Sequence, residues 1–162
     1  CIENEVNGGL STLVDGFTVS EKLKKDFPDY YKILTKTKVR FQFKDKTVIL
    51  ENWAELIQID EKQEFKQVRF SPRLDFVPLM EKDELEVFYL ARKKISELYN
   101  SEKFKLEFKL AKGDLIMMDN YRLLHGRTSY DTNDGNRFLQ GCYIDYDSTE
   151  GKLKHLKRKF NL

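Results

Sequence analysis

The spacing of apolar residues changes once, near residue 100, and that change limits the fold more than any other feature of the sequence. From Asp83 to Asn100, Leu85, Phe88, Ala91, Ile95 and Leu98 recur at steps of three and four. That spacing puts them on one stripe of a helix. From Phe104 the step is two: Phe104, Leu106, Phe108 and Leu110 alternate with Lys and Glu, as a half-buried strand requires. Lys112-Gly113-Asp114 is a turn. Leu115 to Met118 reads as a buried strand, with Met117 and Met118 in the core. Further strands are predicted over Arg122 to Arg127 and Arg137 to Tyr146, joined by the polar loop DTNDGN. Strands that dominate the end of the chain, with helices beside them, predict a mainly β fold with flanking helices (α+β), built on a barrel or jelly-roll core.

The first hundred residues fit that scheme. Gly8-Gly9 is a turn, and Leu10 to Phe17 (LSTLVDGF) has the β-branched, apolar look of a buried strand. Ser20 is placed to cap a helix over EKLKKDF, and Pro28 restarts it as PDYYKILTK, with Tyr31 and Leu34 on one face. Val39 to Phe43, Thr47 to Leu50 and Gln67 to Phe70 alternate as edge strands do. The tail KLKHLKRKF reads as a short basic helix with a solvated face.

With 162 residues and no repeat, low-complexity tract or linker, the chain is read as one unit, residues 1–162. Its 29 basic and 27 acidic residues are interleaved and leave a net charge of +2. This argues against a nucleic-acid binder that works by bulk phosphate attraction. No apolar run approaches the roughly 20 residues that span a bilayer, and no signal-peptide pattern opens the sequence. The two cysteines, Cys1 and Cys142, lie far apart without metal-type spacing, so a reduced, cytoplasmic protein is expected.

Chemistry concentrates between Gly113 and Asp147. His125 follows an apolar run on a predicted strand, and Arg137 lies on the next strand. Antiparallel strands of one hairpin would send both side chains into one interior. A neutral imidazole there is a ligand for a divalent metal, and a guanidinium beside it suits a carboxylate through two parallel hydrogen bonds. Each residue also has a structural alternative. His125 can be a hydrogen-bonded core residue, Arg137 can pair with Asp119 or Asp145, and Arg127 can pair with Asp119 with no part in chemistry.

DNYRLLHGRTSY followed by NRFLQGCYIDYD resembles the C-terminal motif of the gamma-butyrobetaine and trimethyllysine dioxygenases, relatives of taurine dioxygenase. NGGLSTLVDGF resembles the segment those enzymes carry shortly after their first metal motif. The resemblance implies a double-stranded β-helix (jelly roll) holding Fe(II) through a His-x-Asp pair and a distal His, with 2-oxoglutarate as cosubstrate and a small molecule as substrate. By the match, His125 corresponds to the distal metal ligand and Arg137 to the Arg that binds the far carboxylate of 2-oxoglutarate. Ser11 falls where a Ser or Thr hydroxyl contacts that cosubstrate. Tyr143 falls where one wall of an aromatic cage surrounds a trimethylammonium group. The family also implies a homodimer.

The sequence departs from the family at two places. It has two histidines, His125 and His155, and neither is followed two residues on by a carboxylate. In the family the His-x-Asp pair lies upstream of the double-Gly turn. Residues 1–162 are therefore expected to be the C-terminal part of a single catalytic domain, its jelly roll incomplete at the N-terminal side and inactive alone. Ser71-Pro72-Arg73 stands where the butyrobetaine enzymes have Asn residues near the substrate carboxylate, so either Arg73 puts a charge there or the substrate differs. Three classes follow: an iron- and 2-oxoglutarate-dependent hydroxylase, a degenerate relative acting as a binding or dimerisation module, and an unrelated β-barrel binder with a structural His125.

Overall fold

In the computed structural model, which describes residues 1–162, the chain runs β1 (Glu3–Asn4), β2 (Ser11–Asp15), α1 (Gly16–Asp26), α2 (Pro28–Leu34), β3 (Lys38–Lys44), β4 (Ile49–Glu55), β5 (Ile57–Ile59), β6 (Phe65–Val68), β7 (Asp75–Phe76), α3 (Lys82–Asn100), β8 (Lys105–Phe108), β9 (Leu123–Arg127), β10 (Arg137–Phe138) and α4 (Tyr146–Phe160). Ten strands with four helices make a mixed fold in which strands are the more numerous element. The strands form four small antiparallel sheets, ordered β1-β10, β8-β2-β9, β4-β3-β7 and β5-β6.

The helical stripe behaves as its spacing requires. Phe88, Ala91 and Ile95 are fully buried and Tyr99 nearly so, whereas Leu98 is partly buried against the same core. Asp83 and Glu84 lie in the first turn of α3, where the helix dipole favours negative charge. Around this stripe pack Val19 and Leu23 of α1, Leu34 of α2, Val39 of β3, and Leu56, Ile57 and Val68 beside β5 and β6. The core therefore sits between α1–α3 and the central strands.

Several boundaries differ from the sequence reading, and each has a local cause. The stretch from Leu10 to Phe17 is a strand only over Ser11–Asp15, because Asp15 caps α1. Its carboxylate accepts the Phe17 N–H at 3.1 Å and the Thr18 hydroxyl at 2.8 Å. Ser20 is consequently a buried residue within α1, its hydroxyl donating to the Gly16 carbonyl at 2.7 Å, and not a cap. Asp45 accepts from the Thr47 and Val48 amides at 2.6 and 2.8 Å, which fixes a turn and delays the expected Thr47 strand to Ile49. The strand expected at Gln67 to Phe70 lies earlier, over Phe65–Val68.

The last third departs most. Leu115 to Met118 is irregular, with Leu115 85% and Met117 75% exposed, so this segment is neither a strand nor core. No neighbouring strand is in place to pair with it. The strand expected over Arg137 to Tyr146 pairs only at Arg137–Phe138, because its partner β1 is two residues long. The tail forms a longer helix than expected, α4, with no buried residue. No helix is long and apolar enough to cross a membrane.

Candidate functional site

β2 is the central strand of its sheet, hydrogen-bonded to β8 on one side and β9 on the other. Its register with β9 sets Leu13 opposite His125 and Ser11 opposite Arg127. Residues two apart on a strand share a face, and directly opposed residues do too. Ser11, Leu13, His125 and Arg127 thus project from one face of the sheet. Arg137 arrives from a different sheet, on β10 opposite Asn4 of β1. His125 and Arg137 are therefore not on two strands of one hairpin as the sequence suggested. They nonetheless line the same cavity, of about 1000 Å³, together with Ser11 and Arg127.

Arg73 also lines this cavity, from the loop after β6. Three guanidiniums face it, against one carboxylate, Asp114, and Asp114 is engaged with the Ala111 amide at 2.8 Å. None of the three arginines forms an ion pair. The structural pairings open to Arg127 and Arg137 are absent: neither Asp119 nor Asp145 forms an ion pair, and Asp119 accepts the Tyr121 amide at 2.9 Å. The Nε of Arg137 is buried without a hydrogen-bond partner. A buried, unpartnered guanidinium N–H at the wall of a cationic cavity is a donor set for an anion, since leaving such a group unsatisfied is costly.

Two glycines let the backbone close on this wall. Gly8 and Gly9 have φ of 75° and 60°, in the left-handed region. A Cβ on Gly8 would lie 2.5 Å from the Ser129 carbonyl oxygen, and one on Gly9 would lie 3.1 Å from Arg137 Nε. At the far end of β2, the Arg122 guanidinium, ahead of the Thr18 and Phe17 donors, holds the Asp15 carboxyl below the usual carboxylate range against its partial burial.

Arg127 is the residue that reasoning from sequence set aside. Its signal was present: it lies two positions after His125 on a strand, and so on the same face. Tyr143 is 88% exposed and does not line the cavity, although its neighbour Cys142 does. Residues 1–162 contain no group of three His, Cys, Asp or Glu side chains able to hold a metal. His125 is a single imidazole donor, and the residues present do not by themselves make an iron centre.

The chain belongs to the taurine catabolism dioxygenase TauD, TfdA family, whose model matches residues 1–143. It is 36% identical over 166 residues to gamma-butyrobetaine dioxygenase of Homo sapiens, covering 98% of this chain and 42% of that protein. It is 32% identical over 158 residues to gamma-butyrobetaine dioxygenase of Pseudomonas sp. (strain AK-1), covering 98% and 41%. To trimethyllysine dioxygenase of Meyerozyma guilliermondii it is 29% identical over 158 residues, covering 94% and 39%. The chain thus spans about two fifths of the length of these relatives.

Proposed function

We propose that residues 1–162 build the cosubstrate side of an Fe(II)- and 2-oxoglutarate-dependent dioxygenase site. The observation that carries the reading is the buried Arg137 Nε without a partner, at a cavity that also holds His125 and Ser11. On this reading Arg137 binds the far carboxylate of 2-oxoglutarate, the Ser11 hydroxyl donates to it, and His125 is one metal ligand. The other two ligands come from residues outside 1–162, and with them the chain completes a double-stranded β-helix as one catalytic domain. Iron with 2-oxoglutarate and O2 supplies oxidation of an unactivated C–H bond, with CO2 and succinate as co-products.

The substrate we favour is a small carboxylate bearing a trimethylammonium group, as the names of the relatives suggest. Arg73 supplies a cation for the carboxylate. Tyr143 is assigned to the trimethylammonium end, which requires it to turn from solvent toward the cavity. We place the protein in the cytoplasm as a homodimer, on its free cysteines and on family membership respectively. A second reading is a non-catalytic relative acting as a binding or dimerisation module, and the single candidate ligand within 1–162 fits both readings.

The test uses the full-length polypeptide. Arg137→Ala is expected to weaken 2-oxoglutarate binding by about 2–5 kcal/mol, the cost of truncating one partner of a buried charge pair. Calorimetric titration together with succinate formation reads this out. Unchanged affinity in Arg137→Ala removes the cosubstrate assignment. Full cosubstrate binding with no succinate formed by the unmodified protein, across candidate betaines, favours the non-catalytic reading.

A further inference from the structure

We propose that Tyr130 is a positioning residue that fixes Arg127 and Arg137 as one two-cation cradle for the dicarboxylate. The inference rests on the reading that this cavity takes 2-oxoglutarate. The Arg127 guanidinium lies 4.6 Å from the centroid of the Tyr130 ring, and that of Arg137 lies 5.4 Å from it. The two cations are therefore no more than about 10 Å apart, although they come from different sheets. Like charges at that separation repel, and no carboxylate pairs with either. The negative face of one aromatic ring attracts both, and so takes the place a carboxylate would otherwise fill. A carboxylate there would neutralise the cradle, whereas a ring leaves both guanidiniums charged and able to donate to a ligand.

Tyr130 is itself held by the backbone. It forms an isolated antiparallel bridge with Gly8, and the Gly9 amide donates to the Ser129 carbonyl at 3.1 Å. Gly8 permits that approach, and Gly9 leaves room for the Arg137 side chain on the same turn. The double-Gly turn, the Tyr130 ring and the two arginines thus form one contiguous group. Tyr130 is partly buried and does not line the cavity, so its action on a ligand runs through the arginines. A cradle oriented before the ligand arrives spares the cost of ordering two long side chains on binding.

The test is calorimetric titration of 2-oxoglutarate into the full-length polypeptide, with Mn(II) in place of Fe(II). Tyr130→Leu is expected to weaken binding about 5- to 30-fold, as loss of two cation–π contacts implies, at unchanged stoichiometry. Tyr130→Phe keeps the ring face and restores affinity to within about twofold of the unmodified protein. Arg127→Ala weakens binding by a comparable factor, and much less so when added to Tyr130→Leu, because the two act as a unit. Wild-type affinity in Tyr130→Leu, or in Arg127→Ala, overturns the cradle while leaving Arg137 as the cosubstrate residue. Should Tyr130→Leu misfold, the stoichiometry falls instead of the affinity, and Arg127→Ala decides alone. If Arg137→Ala also binds normally, the reading of the cavity fails with it.

Discussion

His125 and Arg127 are two positions apart on β9, and this spacing turns a histidine and an arginine toward the same cavity as Ser11 of the neighbouring strand. That His125 and Arg137 share one cavity was legible from the motif that resembles the family, whereas the residue types alone left His125 open to a hydrogen-bonded core role. Arg127 was not, because Asp119 offered a plausible partner and only the fold shows that Asp119 caps its own turn instead. Local sequence gives the face of a residue, whereas whether a nearby carboxylate is free to pair with it depends on the turn that carboxylate sits in. If His125 is one ligand of a three-ligand facial site, losing it leaves two, which hold a divalent ion poorly. His125→Ala is accordingly expected to abolish iron-dependent turnover in the full-length polypeptide and to weaken Fe(II) binding at least about tenfold. Competition titration with a chromogenic chelator measures the second effect, and retained affinity would take His125 out of the metal site.

Between β2 and α1, one carboxylate holds three segments. Asp15 ends the strand, caps the helix through Phe17 and Thr18, and accepts from Nε and Nη2 of Arg122 in the turn before β9. Asp15→Ala removes the cap and leaves Arg122 without its partner, so unfolding should become easier by about 1–2 kcal/mol. Urea denaturation reads this as a lower midpoint with an unchanged slope. The pH dependence has a definite sign. With its folded-state pKa lowered, Asp15 contributes stability that is fully present above the ordinary carboxylate pKa and is lost as pH falls through the folded value. The unmodified protein should therefore lose more stability than Asp15→Ala as pH drops below about 4. Equal acid losses in both proteins would show that Arg122 does not set this carboxyl. Helix α3 was legible because its stripe is written in neighbouring residues. Strand lengths after residue 110 were not, because a strand extends only as far as its partner, and β1 allows β10 two residues.

For the molecule as a whole, the accessible surface is 12110 Å². A folded monomer of 19.3 kDa is expected to expose about 8500 Å². The excess, roughly 3600 Å², is larger than the roughly 1000–2500 Å² that each partner contributes to an obligate interface. Part of it lies in the last third, where Leu115, Met117, Phe138, Tyr143 and Ile144 are more than half exposed and α4 buries nothing, and part lies elsewhere, at Ile49, Leu50, Leu79 and Tyr89. The stripe Leu153, Leu156 and Phe160 on α4 faces solvent as well. The core around Phe88, Leu23 and Ile95 is by contrast fully buried. Composition gave no sign of this contrast, since 40% apolar content is ordinary for a globule and says nothing about which residues are covered. Apolar side chains this numerous and this exposed do not stay bare in water. Residues 1–162 produced alone should therefore self-associate in sedimentation velocity and bind a hydrophobic dye, and the full-length polypeptide should bind far less dye per chain. A monodisperse, dye-silent monomer of residues 1–162 would mean that α4 and the 115–144 segment fold back over these side chains, and the open cavity would then have to be abandoned.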